Sequence, residues 1–105
     1  MIVNEKTKKY IPEDCIVYVE SSGAYSLFYT INYLNKNHVY AQTLKSIEAR
    51  ASSKFIRIHQ SYLVNSRYVS SFNETSVFIE KLNLSLPIAK RRRKEVHEHL
   101  AKFLT

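Results

Sequence analysis

A chain of 105 residues supports one domain, since cores of this size sit near the usual domain mode. Sixteen Lys+Arg against nine Asp+Glu give a net charge of +7, a long-range pull toward polyanions such as nucleic acid, anionic lipid or an acidic protein. No apolar run approaches the ~20 residues that cross a bilayer, Lys6, Lys8 and Lys9 have no apolar core behind them, and the single cysteine, Cys15, excludes an internal disulfide and a cysteine metal site, so the chain reads as soluble, unsecreted and cytoplasmic.

Residues 1–10 read as a linker or a first strand. "CIVYVES" (Cys15 to Ser21), "SLFYTINYL" (Ser26 to Leu34) and "HVYAQTL" (His38 to Leu44) are rich in the β-branched and aromatic residues that suit a pleated surface. In the second of these, Leu27, Tyr29, Ile31 and Tyr33 fall on one face. Between the first two strands "SSGAY" predicts a loop from Glu20 to Leu27, with Gly23, the only glycine, supplying any positive φ. "LNKN" (Leu34 to Asn37) predicts a hairpin turn between the second and third. "TLKSIEARA" then places Leu44, Ile47 and Ala51 at the spacing of a short amphipathic helix.

"KFIRIHQSYLVN" (Lys54 to Asn65) has strand alternation interrupted by Arg57, His59, Gln60 and Ser61. "SVFIEKLNLSLPI" (Ser76 to Ile88) predicts a hairpin turning near Lys81 to Asn83, with Pro87 at an edge or a strand end because it cannot donate to a ladder. The closing "KRRRKEVHEHLAKFL" predicts a helix whose Val96, Leu100, Phe103 and Leu104 form an apolar stripe. Arg91, Arg92, Arg93 and Lys94 precede that stripe. Four cations at a helix N-terminus oppose the macrodipole, and a bound phosphate would neutralise both.

Three polar interruptions thus follow apolar strands: Ser22 to Ser26, Arg57 to Ser61, and Lys90 to Lys94. "FIRIHQSYLVN" (Phe55 to Asn65) resembles the signature of the LytTR family of bacterial DNA-binding domains: aromatic, two residues, apolar, His, Arg, Ser, aromatic, apolar, Val, Asn. "VYVESSGAY", "TLKSIEARA" running into "FIRIH", and "LPIAKRRRKEV" also resemble family segments, so the likeness spans about Ile11 to Leu100. It implies an elongated, mostly β fold of antiparallel sheets with short helices and a C-terminal helix. It implies a transcriptional regulator, the output module of a two-component response regulator, whose loops enter successive major grooves of duplex promoter DNA at paired direct repeats. The chain is then either an excised module, with a receiver domain in cis, or a stand-alone protein, monomeric or weakly dimeric off DNA, with no membrane partner, cofactor or metal.

Carried over by position, the likeness implies DNA contacts from Ser22, Gly23, Ala24, Tyr25 and Ser26 in a first loop. Ser26 stands where a relative has a base-contacting histidine. A second loop gives Arg57, His59, Gln60 and Ser61. Gln60 replaces the usual arginine, and glutamine pairs with adenine N6 and N7 where arginine favours guanine O6 and N7. A third loop gives Lys90, Arg91 and Arg92. Ala89 stands in place of a serine there, which removes a cap, and Lys90 in place of an arginine, which removes a planar fork.

Other readings compete. His59 and Ser61 could instead bond to backbone and shape a turn, with Asn65 satisfying a buried carbonyl, while Arg57 could be a solvated strand residue. A nucleophilic enzyme would use Cys15 or Ser61 with His59 as base, but Ser61 lies two positions from His59 and no orienting carboxylate is evident. Cys15 reads as a small buried hydrophobe. His97 and His99 flank Glu98, and helix positions two apart point different ways, which argues against a metal site. An RNA or single-strand-binding β module, stacking bases on some of the eight tyrosines, is the alternative, and a basic protein-interaction module comes third.

Overall fold

The computed structural model describes residues 1–33 and 38–104. Among them the chain forms β1 (Ile2–Asn4), β2 (Lys9–Tyr10), β3 (Ile16–Ser22), β4 (Tyr25–Thr30), β5 (His38–Tyr40), α1 (Leu44–Arg50), β6 (Phe55–His59), β7 (Tyr62–Asn65), β8 (Ser71–Phe72), β9 (Ser76–Ile79), β10 (Leu84–Pro87) and α2 (Arg93–Phe103). Five strands make a central antiparallel sheet in the order β5-β4-β3-β7-β6, flanked by a three-stranded sheet β10-β9-β8 and a ribbon β1-β2.

The central sheet is apolar on both faces. On one side Ile16, Val19, Phe28, Phe55 and Leu63 pack with Met1, Val3 and Ile11 of the N-terminal ribbon and with Leu44 and Ile47 of α1. On the other, Val17, Tyr18, Ile56, Ile58 and Val64 pack with Val77, Ile79, Leu86 and Ile88 of the second sheet and with Val96 and Leu100 of α2. Adjacent Val17 and Tyr18 serve the same core because the β3–β4 register shifts between Ile16 and Tyr18, as a bulge allows. Residues 1–10, open between linker and strand in the sequence, form the β1-β2 ribbon.

Several boundaries differ from expectation. The first two strands run further toward each other than a loop from Glu20 to Leu27 implied: Ser22 pairs with Tyr25, leaving a two-residue turn. Gly23 has φ 61 while Ala24 is not among the left-handed residues, the pattern of a type II′ hairpin turn. β4 ends at Thr30 rather than Leu34, because Asn32 turns left-handed at φ 56. Leu27, Tyr29, Ile31 and Tyr33 therefore do not share a face: Ile31 packs on one core and Tyr33 on the other. The predicted turn over residues 34–37 lies outside the described residues, although β4 and β5 do pair antiparallel.

His38 to Leu44 is not one strand. Thr43 Oγ1 accepts the Ser46 N–H at 3.1 Å and caps α1, so Leu44 enters the helix. The later hairpin turns where expected, with Asn83 left-handed at φ 48, and Pro87 ends the edge strand β10. On α2, Val96 and Leu100 are buried, but Phe103 and Leu104 are 39% and 42% exposed, so the stripe docks over its first half only. Phe103 stacks on His99, rings parallel to within 6°. His99 in turn lies 2.8 Å from the buried Ser66 hydroxyl, and burial lowers its pKa. His97 turns instead to the Asn73 carbonyl, and no cluster of metal-ligating side chains exists among the described residues. Cys15 is partly buried against the core beneath α1.

Asn65 is the polar centre of this arrangement. Wholly buried, it donates from Nδ2 to the carbonyls of Glu13 at 3.1 Å and Ile16 at 3.0 Å, and its Oδ1 accepts the Arg67 N–H. Leaving those groups unpaired costs on the order of 3 kcal/mol, so Asn65→Ala should lower the urea midpoint sharply; an unmoved midpoint would show that water takes over the bonds.

Candidate nucleic-acid interface

Three turns converge at one end of the central sheet. The β3-β4 turn extends past the Ser22–Tyr25 pair, and the β6-β7 turn lies beside it because the Ser21 N–H donates to the Ser61 carbonyl at 2.9 Å. The segment after β10 joins them from the far side of β6, where the Ala89 N–H donates to the Ile58 carbonyl at 2.8 Å. That carbonyl is free of the ladder because the β6–β7 register skips from the Arg57–Leu63 pair to the His59–Tyr62 pair, leaving Ile58 as the extra residue of a bulge.

In the first turn Ser22, Gly23, Ala24 and Tyr25 are exposed, Tyr25 at 53%. Ser26 is not available there. It has no exposed surface, and its hydroxyl donates to the Gln42 carbonyl at 2.6 Å, fastening the chain after β5 to β4. A side chain wholly inside the protein presents nothing to a ligand, so Ser26 leaves the set of contact candidates.

The second turn is held by its own residues. His59 Nδ1 accepts the Ser61 N–H at 3.0 Å, which leaves Nε2 as the ring's donor. Gln60, at the tip, is exposed, and Ser61 is partly exposed. Arg57 is neither a solvated strand residue nor an outward contact. Its guanidinium donates to the carbonyl of His59 at 2.8 Å and of Gln60 at 2.6 Å, and pairs with Glu48 on α1 at 3.0 Å, with its side chain 11% exposed. Glu48 and Gln42 carry no mark of a site residue in the sequence. The fold makes them partners by laying α1 beside β6, which brings Glu48 to Arg57, and by returning the chain after β5 to β4, which brings Gln42 to Ser26.

The third turn is a single 3-10 turn, Lys90–Arg92, running into α2 without a side-chain cap. Lys90, Arg91 and Lys94 are exposed and Arg92 partly so. Among the described residues none of these four pairs with a carboxylate, whereas Arg93 lies 3.5 Å from Glu74. Glu74 belongs to the β8-β9 turn, brought to this end by the Ile88 N–H donating to the Thr75 carbonyl.

Compared with known families, residues 6–101 match the LytTr DNA-binding domain. The chain belongs to the LytTR family. This LytTR domain shares its fold with the LytTr DNA-binding domain of a putative methyl-accepting/DNA response regulator from Bacillus cereus, with a TM-score of 0.72 at 16% identity over 86% of this chain and 84% of that one. A comparison with curated proteins finds no match. Membership implies DNA binding for transcriptional regulation, in a family that is normally non-catalytic. The mostly β architecture with short helices and a C-terminal helix agrees with that expected from the signature. No helix among the described residues is long and apolar enough to cross a membrane.

Arg57 fixes the backbone of the second turn from inside. Arg57→Ala removes two charge-assisted bonds to carbonyls, each worth about 1.5 to 3 kcal/mol, and should accelerate amide hydrogen exchange at Gln60 and Ser61 more than in α2. Unchanged exchange at those two amides would show that the turn holds its shape without the brace.

Proposed function

We propose that this LytTR domain binds duplex promoter DNA with its row of turns, setting the first two into major grooves and the basic third against the backbone. The observation that carries the reading is the gathering, at one end of one rigid sheet, of exposed hydrogen-bonding side chains and four cations that have no carboxylate partner among the described residues. A two-stranded ribbon fits a major groove about 12 Å wide, where each base pair presents a distinct donor and acceptor pattern. Gln60, at the tip of such a ribbon, carries a bidentate amide, and Ser22, Tyr25, His59 and Ser61 add further hydrogen-bonding groups. Arg91, Arg92 and Lys90 supply the sequence-independent hold on phosphates, next to an uncapped helix N-terminus that favours negative charge. As a transcriptional regulator the domain acts in the cytoplasm on paired direct repeats, under a receiver domain in cis if it is the output module of a longer protein.

Base stacking on the sheet, as an RNA or single-strand module requires, fits less well. Tyr18 is 6% exposed and its ring is covered by Tyr29, with centroids 4.3 Å apart and planes within 7°. Those two faces are already spent on each other. Competition between duplex DNA, single strands and RNA at fixed salt separates the readings, the duplex being favoured here; preference for single strands would overturn it.

Arg91→Ala/Arg92→Ala should flatten the fall of log affinity with log salt by about 0.9 for every phosphate the variant no longer neutralises. The thermal midpoint should barely move, since surface changes shift stability by ~0.5 kcal/mol or less. Early unfolding of the double variant would instead make the block structural.

Gln60→Arg tests base reading. Selection from a randomised duplex library should move one position from A·T toward G·C, with discrimination of about 1 to 3 kcal/mol. An unchanged motif with uniformly tighter binding would place Gln60 on a phosphate, because phosphates carry no direct base information.

A further inference from the structure

The lysines of the N-terminal ribbon lie outside the three turns, yet the fold carries them to the same end. Lys9 pairs with Asn4 across the ribbon, and the turn between them is shaped by Asn4 Oδ1, which accepts the Lys6 N–H at 3.0 Å, and by Lys8 at φ 57. Arg50 tethers this turn to α1. Its guanidinium donates to the Ile2 carbonyl at 3.0 Å, to Ser46 Oγ at 2.7 Å and to Gln42 Oε1 at 3.3 Å, and it lies 3.5 Å from Glu5 Oε1. Ser46 is in the first turn of α1, and Gln42 is the residue whose carbonyl receives the Ser26 hydroxyl. The Glu5 carboxylate therefore sits by the Arg50 guanidinium near the start of α1, on the side of the sheet where Gln42 is fastened to β4.

The charges along this end have an order. Lys6 and Lys8 are exposed at one extreme, with exposed Lys45 of α1 behind them, and among the described residues no carboxylate pairs with any of the three. Lys90, Arg91, Arg92 and Lys94 occupy the other extreme. The two turns between present hydrogen-bonding side chains without Lys or Arg at their tips, because the Arg57 guanidinium is turned to the carbonyls of His59 and Gln60. Cations outside and hydrogen-bonding groups inside is the division expected of a surface that positions itself on phosphates and reads bases between them.

Resting on the duplex-binding reading above, we infer that Lys6 and Lys8 form a second backbone clamp, gripping phosphates on the flank of the site opposite the one held by the Lys90 to Lys94 block. The β1-β2 turn is then part of the footprint, and the protein covers more duplex than its base-reading turns span.

Lys6→Ala/Lys8→Ala in the full chain tests this by salt titration on a long duplex. The log–log slope should fall by about 0.9 for each phosphate released, while the motif selected from a random library stays the same. A duplex trimmed on one flank should bind wild type and variant alike, whereas trimming the other flank should preserve the difference. Lys54→Ala/Lys81→Ala removes equal charge at the opposite end of the sheet, where Lys54 pairs with Asp14 and Lys81 lies over Tyr68, and should leave the slope unchanged. An unchanged slope in the Lys6/Lys8 variant, an equal loss in the control, or a difference that survives trimming of either flank would each overturn the clamp. Wild type that binds no duplex at all would instead overturn the duplex reading itself.

Discussion

One extra residue in one strand organises the loop end of this protein. Ile58 is the bulged residue of β6, and the bulge does two things at once. It keeps the Ile58 side chain in the core shared with α2, wholly buried and worth about 1.5 to 3 kcal/mol on that account. It also withdraws the Ile58 carbonyl from the ladder, so that the Ala89 N–H can take it. The basic segment before α2 is thereby registered against the β6-β7 turn by a backbone bond. A regular strand would satisfy that carbonyl within the sheet and leave Lys90 to Arg92 to find their own position.

The rest of the architecture serves to make that end rigid. A sheet covered on both faces must carry apolar residues on both, which is why β3 is buried at every position from Ile16 to Val19 and lacks the alternation of a strand with one wet side. The ribbon and α1 cover one face, the second sheet and α2 the other, and each sends one group across to the loop end: Arg50 from α1, Ala89 from the segment after β10. Polar anchors complete the frame at the opposite end, where Asn65 joins the start of β3 to the turn that follows β7.

Much of this is legible in the residues alone. Strand composition places β3, β4, β6, β7, β9 and β10, helical spacing places α1 and α2, and the "FIRIHQSYLVN" signature points to the family that residues 6–101 match. What stays hidden depends on neighbours distant in sequence. Ser26 looks like a loop residue until the chain after β5 returns to accept its hydroxyl, and Arg57 looks solvated until Glu48 and two carbonyls close around it. The stripe on α2 reads as continuous to Leu104 because periodicity says nothing of where the underlying sheet ends. Thr43 passes for a strand residue because a β-branched side chain and a helix cap are the same letter.

The backbone of the second turn is secured from behind, by Arg57, by His59 Nδ1 and by the Ser61 carbonyl, while the tip side chain of Gln60 bears no part of that support. The Gln60 side chain is thus separate from the groups that hold the turn, whereas His59 and Ser61 belong to that support. A lineage can exchange that amide for another exposed side chain while these bonds of the turn backbone stay in place. Variation at the tip is therefore uncoupled from folding, a freedom denied to surfaces whose exposed side chains also hold the core together.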